Sequence, residues 1–290
     1  MNELKTVRDF LRFAVSRFQA AKIVHGHGTA RVVDEAAFIV LETLHLPVDD
    51  INPWLDAALL DGERTALADI IAARVATRKP AAYLLKKTYM HGLPFHVDER
   101  VIVPRSYIGE LLMKGDISSL MGDDFMVRDV LDLCTGSGCL AILAAHYFED
   151  ANVEAVDLSK DALDVARINV TQHEMTERIA IRQGHLFEPL AKRKYDLIIA
   201  NPPYVAEAEV DAFPPEYSAE PKMAHLGGVD GFDLVREIIV QAPAHLNQSG
   251  ALVCEIGTGR EIVEEEFPDH NLIWLDTENS EGEVFLLRAI

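Results

Sequence analysis

From Val127 to the C-terminus, short apolar runs alternate with helical stretches, and that alternation leaves few folds open. Strands are predicted at Val127–Cys134, Val153–Leu158, Ile179–Gln183, Tyr195–Ala200, Ala251–Ile256, Leu272–Leu275 and Val284–Leu287. Helices are predicted between them at Cys139–Tyr147, Lys160–His173, Phe232–His245 and Ile262–Phe267. Strands separated by helices build a parallel sheet covered on both faces, an α/β fold. The last two strands are joined by Glu278-Asn279-Ser280-Glu281-Gly282, which is too short for a crossover helix and predicts an antiparallel pair.

The front of the chain has a different period. Val7, Phe10, Leu11, Ala14, Val15 and Phe18 recur at helical spacing. Asp34 is placed to cap a second helix that ends before Pro47, and a third runs from about Asp61 to Arg78. His25-Gly26-His27-Gly28 reads as a loop, its histidines as exposed polar groups. Tyr89 to Val103 alternates around Gly92 and Pro94 as a strand or hairpin, and Pro104-Arg105-Ser106 leads into a helix near Tyr107–Met113. Three parts follow: residues 1–88 helical, 89–105 a hairpin connector, and 106–290 the sheet domain.

Charge divides along the same line. Residues 1–105 carry 14 Lys and Arg against 13 Asp and Glu; residues 106–290 carry 13 against 34. An acidic sheet domain repels bare nucleic acid and attracts basic partners. No apolar stretch is long enough for a membrane span, and the N-terminus lacks a signal-peptide core. Three cysteines make no disulfide framework, and Cys134 and Cys139 lack zinc-site spacing, so a reducing cytoplasm and no metal are expected.

Two motifs carry chemistry. Asp132-Leu133-Cys134-Thr135-Gly136-Ser137-Gly138 joins the first sheet strand to its helix, and Asp157 ends the next strand. Glycines let the backbone approach a ligand, the helix start offers free N–H groups, and a carboxylate at Asp157 accepts from ribose hydroxyls. Taken alone, the segment fits NAD about as well as S-adenosylmethionine. Asp132 favours the latter, since an acid there opposes a diphosphate and suits a methionine amino group.

Asn201-Pro202-Pro203-Tyr204 follows the strand Tyr195–Ala200 at the carboxyl edge of the sheet, where ligands bind. The prolines fix φ and bring no donors. The Asn201 oxygen and the Pro202 carbonyl can together accept both hydrogens of a planar NH₂, with Tyr204 flat against it. An amide nitrogen is a poor nucleophile because its lone pair is delocalised. Accepting both N–H bonds returns density to nitrogen and stabilises the charge that develops there. An exocyclic adenine amine in DNA suits the same clamp, with the base flipped out; the acidic charge opposes that reading. A NAD-dependent oxidoreductase leaves Asn201–Tyr204 unexplained, and a silent binding module binds cofactor without turnover.

Together, Asp132–Gly138, Asp157 and Asn201–Tyr204 resemble a class I S-adenosylmethionine-dependent methyltransferase, with its Rossmann-like sheet. The helical front, the hairpin and the NPPY tetrapeptide narrow the resemblance to protein glutamine methyltransferases of the HemK type. Phe95 to Ser106 and Ile108-Gly109-Glu110 are similar to the branch acting on a large-subunit ribosomal protein; the release-factor branch usually reads Pro-Arg-Pro-Glu-Thr-Glu there. Glu220-Pro221 and Gly227-Gly228-x-Asp230-Gly231 also fit the wider family.

The resemblance implies that Cys134, Thr135, Gly136, Ser137 and Gly138 line the cofactor with Asp132 near its methionine end, that Asp157 holds the ribose, and that Asn201 lies close by. It implies that Asn201, Pro202, Pro203 and Tyr204 bind a glutamine amide. Cys134 stands where many relatives have the first glycine, so its backbone is expected to avoid positive φ. His185 stands where an aspartate usually meets the adenine amine; a neutral ring can still accept that bond, and Leu186 and Phe187 offer apolar packing. The expected partner is a basic ribosomal protein, with no membrane and no sequence-specific nucleic acid. The front helices are expected to recognise it.

Overall fold

The computed structural model describes residues 3–122 and 125–289. Helix α1 (Val7–Ala20) opens with a capping box in which the Thr6 hydroxyl accepts from Asp9 N and the Asp9 carboxylate accepts from Thr6 N. Its face of Val7, Phe10, Ala14 and Phe18 packs on α2 (Val32–Thr43) and α3 (Asp61–Thr77). Asp34 lies in the first turn of α2, and Arg31 takes the cap position. Glu35 and Arg74, both buried, form an ion pair between α2 and α3 that periodicity gave no means of seeing. His27 is buried rather than exposed, its ring 4.2 Å from that of Tyr217, and His25 pairs with Glu35 at 2.7 Å. Burial holds the His27 pKa down to about 4, so the ring is neutral.

A short α4 (Ala81–Leu85) precedes the hairpin β1 (Thr88–Met90) and β2 (Leu93–Phe95), which pair antiparallel. The strand expected to continue to Val103 does not form. Val97, Val101 and Val103 are buried against α4 and α8 (Lys160–Gln172), which explains their alternation. Side chains satisfy this stretch in place of a ladder. Asn169 brackets His96 N and His96 O, Tyr83 donates to Val101 O, and Glu220 accepts from Val103 N.

Ser106 caps α5 (Tyr107–Lys114), and α6 (Asp116–Met121) follows. The sheet then alternates as predicted: β3 (Asp129–Leu133), α7 (Cys139–Tyr147), β4 (Asn152–Asp157), α8, β5 (Ile179–Gln183) and β6 (Tyr195–Ala200). The short α9 (Glu207–Val210) precedes α10 (Asp233–His245), β7 (Leu246–Glu255), α11 (Arg260–Glu266), β8 (Leu272–Leu275) and β9 (Val284–Arg288). Strand order is β5-β4-β3-β6-β7-β9-β8. The first five are parallel and β9 lies antiparallel to β7 and β8. Leu197 and Ile199 point to the α5–α7 layer, whereas Ile198 and Ala200 point to the α10 layer.

This order places the site. The chain leaves β3 for β4 and β5 on one side, then returns to β6 on the other, making a crevice at the carboxyl end of β3. Leu133 is in register with both Val156 and Ala200. Cys134, Asp157 and Asn201 therefore leave the sheet side by side.

Candidate active site

The turn after β3 is built by side chains below it. Asp132 is fully buried; its Oδ2 accepts from the Thr135 hydroxyl and from Ala141 N at the start of α7, and its Oδ1 has no partner. Burial pushes its carboxyl pKa up to about 7. Thr135 N donates to Val156 O and Gly138 N to Thr135 O. Asn169, also buried, donates to Ser137 O and so ties the connector to this turn. Cys134 has φ +57°, against the expectation that a non-glycine avoids that region. The turn demands the left-handed conformation, and these bonds hold it on a residue with a Cβ.

A cavity of about 290 Å³ opens beside the turn. Cys134, Gly136, Asp157, His185, Leu186, Asn201 and Pro203 line it. Asp132, Thr135, Ser137 and Gly138 do not; they shape the turn from beneath or behind. Asp157 Oδ2 accepts from Gly136 N and Oδ1 from Ser159 N, which leaves a lone pair on each oxygen for a diol. Burial raises its pKa. Val101, Ile102, Leu158 and Leu234 add an apolar wall that periodicity gave no reason to assign to a ligand site. Phe187 is buried elsewhere, stacked on His245 at 4.6 Å. His185 keeps its ring on the wall, with Nδ1 3.5 Å from Glu237.

A second cavity of about 130 Å³ adjoins the first, with Ile102, Asn201, Pro203 and Ala224 walling both. Pro202, Tyr204, Arg105, Phe213 and His225 complete it. Asn201 Nδ2 donates to Arg105 O at 3.2 Å. A carbonyl only accepts, so the amide nitrogen is fixed there and Oδ1 is left as a free acceptor. The Tyr204 ring lies against Gly257, and its hydroxyl donates to Glu255 Oε1 at 3.3 Å. Glu255 also accepts from Ser106 Oγ at 2.6 Å and Tyr107 N at 2.9 Å, and burial pushes its pKa up to about 7. It ends β7 at the same carboxyl edge, a position rule that could have found it. Arg105 was read only as the lead into a helix and as part of a family-like segment, and Glu220 only for family likeness; nothing in their spacing predicted that they would meet.

The turn, the strand-end carboxylate and the adjoining amide-sized cavity define a class I S-adenosylmethionine-dependent methyltransferase. A buried carboxylate oxygen without a partner, a wall carboxylate with free lone pairs and an apolar lining fit that cofactor. The family model named methyltransferase small domain matches residues 117–213. The chain is 56% identical over 292 residues to the ribosomal protein uL3 glutamine methyltransferase of Bradyrhizobium diazoefficiens, covering 99% of this chain and 92% of that protein. It is 50% identical to the enzyme of the same name from Bordetella pertussis, covering 98% and 95%. Among solved structures, the N-terminal domain of human METTL16 in complex with SAH shares the fold, with TM-score 0.51, 14% identity and coverage of 87% and 93%. The chain belongs to the ribosomal protein uL3 glutamine methyltransferase family.

Proposed function

We propose that this chain transfers a methyl group from S-adenosylmethionine to the side-chain amide nitrogen of a glutamine in ribosomal protein uL3. The observation that carries the reading is the orientation of Asn201. Its nitrogen is occupied by Arg105 O, which leaves its oxygen as the acceptor, and Asn201 and Pro202 both wall the small cavity. Two acceptors, with the Arg105 guanidinium on the same wall already held by Glu220, select an amide NH₂ over a carboxylate. They also concentrate the nitrogen lone pair and stabilise the positive charge that grows there. Tyr204 packs on the amide plane, its own position set by Gly257 and Glu255.

The cofactor supplies an electrophilic methyl group. Asp157 would hold its ribose hydroxyls, Asp132, beneath the turn, would face its methionine end, and Leu186 and His185 would border its adenine. Thr135, Ser137 and Gly138 hold the turn in shape. Holding both reactants in adjoining cavities supplies proximity without an acid–base dyad. The front helices, residues 1–88, recognise the substrate, the connector 89–105 joins them to the catalytic part, and residues 106–290 do the chemistry. A basic ribosomal protein suits the acidic sheet domain, and the reaction takes place in the cytoplasm. No helix among the described residues is long and apolar enough to cross a membrane.

Two substitutions separate the roles. Asn201→Ala is expected to lower kcat by about a hundredfold or more while the cofactor Kd stays within a few-fold. Asp157→Ala is expected to weaken cofactor binding by about tenfold or more, for two lost charge-assisted bonds. Steady-state kinetics with calorimetric cofactor titration reads both. Loss of cofactor binding in Asn201→Ala, with turnover per bound cofactor intact, contradicts the clamp.

A further inference from the structure

One buried carboxylate outside the clamp gathers the segments around it. Glu220 is buried, and its carboxylate accepts from Val103 N at 2.9 Å and from both Arg105 Nη1 and Nη2, at 3.0 and 3.1 Å. His225 Nε2 lies 2.9 Å from its Oε2, and His27 Nε2, from the front loop, lies 3.7 Å away. Arg105 and His225 both wall the small cavity, and the Arg105 guanidinium stacks over the Tyr217 ring at 5.6 Å. Arg105 O is also the group that fixes Asn201.

Resting on the reading above, we propose that Glu220 is a positioning and specificity-determining residue for glutamine transfer. It pins the Arg105 side chain in a fork, and with Val103 N it anchors the backbone whose next-but-one carbonyl orients Asn201. It also neutralises the one guanidinium on the wall of the amide cavity. An arginine there without its partner is a carboxylate-binding group, suited to glutamate rather than glutamine. With Glu220 in place, the cavity offers an incoming side chain acceptors from Asn201 and Pro202 and no uncompensated cation. Specificity then includes a repulsive element, a fixed anion behind the arginine.

The test uses the full chain, S-adenosylmethionine, uL3, and uL3 carrying glutamate in place of the methylated glutamine. Glu220→Gln keeps the shape and removes the charge. It is expected to lower kcat about tenfold or more at a cofactor Kd within about threefold. The glutamate form of uL3 is expected to inhibit this variant at least about tenfold more tightly than the parent. In the double variant Glu220→Met with Arg105→Met that inhibition is expected to vanish while kcat stays low, which a merely structural loss does not produce. A Glu220→Gln enzyme with kcat within about twofold of the parent, or without stronger inhibition by the glutamate form, overturns the proposal. Where Glu220→Gln loses cofactor binding through misfolding, Arg105→Lys decides. A fall in kcat of about threefold or more at unchanged cofactor Kd supports the fork, and unchanged kcat overturns it. Parent enzyme that leaves uL3 glutamine unmethylated refutes instead the function proposed above.

Discussion

At Cys134 the cofactor turn requires a left-handed residue, and the sequence supplies a thiol instead of a glycine. That conformation costs a non-glycine residue about 1–2 kcal/mol. Cys134→Gly removes the cost but gives the unfolded chain more freedom, so stability is expected to change by less than about 1 kcal/mol, with the cofactor Kd held. Cys134→Val, β-branched at positive φ, is expected to lose about 2 kcal/mol or more. Urea unfolding of the two variants checks the pair. Glu255 gives a pH signature. Burial raises its folded pKa to about 7, above the ordinary glutamate value, so the folded chain holds a proton that the unfolded chain has released. Its contribution to stability therefore falls as pH rises from about 4.5 to 7, by at most about 1.4 kcal/mol per unit. Glu255→Gln lacks this term. Its stability relative to the parent is expected to improve steadily between pH 5 and 7 in denaturant melts, and a flat difference contradicts the assignment.

At the scale of elements, the site is made by register. Leu133 opposite Val156 and Ala200 delivers the turn, Asp157 and the tetrapeptide to one edge. The turn after β7 completes it, because Gly257 has φ +58° and a Cβ there would lie 2.8 Å from Tyr204 Cε2. Gly257→Ala is expected to displace the ring and lower kcat about tenfold with little change in cofactor Kd. Steady-state kinetics measures it, and an unchanged kcat removes Tyr204 from the amide plane. Much of this level was legible from residues alone. Cys139–Tyr147, Ile179–Gln183, Tyr195–Ala200 and Leu272–Leu275 form with the ends that periodicity predicts. The failures are physical. Val101 and Val103 alternate like a strand because they pack on α8, while side chains take their backbone bonds. β7 starts at Leu246 rather than Ala251, because Ser249 at φ +67° and the close approach of Gly250 to Tyr195 O make an irregularity that apolar period cannot report. The segment from Val205 to Leu226, which walls the amide cavity, has no regular period. Its place is set by contacts such as Val205 N to His225 O.

At the scale of the whole molecule, front and rear parts meet through a small apolar cluster of Ala82, Tyr83, Val101, Val103, Ala162 and Val165 and through polar groups around it. Arg78 pairs with Glu216 at 2.7 Å, Val24 N donates to Glu216, the His27 ring lies tilted against Tyr217, and Asn169 ties the connector to the turn after β3. These long-range partners are invisible to local pattern, whereas the charge contrast between the parts was countable from the start. The segment that walls the small cavity is thus braced from the front part, as the proposed recognition of a protein substrate by both parts requires.

The proposed reaction is methyl transfer to a glutamine amide of uL3. Its most direct test is mass spectrometry of uL3, release factors and DNA, each incubated with the enzyme and isotope-labelled S-adenosylmethionine. One labelled methyl is expected on a single glutamine of uL3, absent with Asn201→Ala. Label confined to release factors would keep the amide clamp and reject the substrate. Label on DNA adenine, with none on protein, would overturn the proposed reaction.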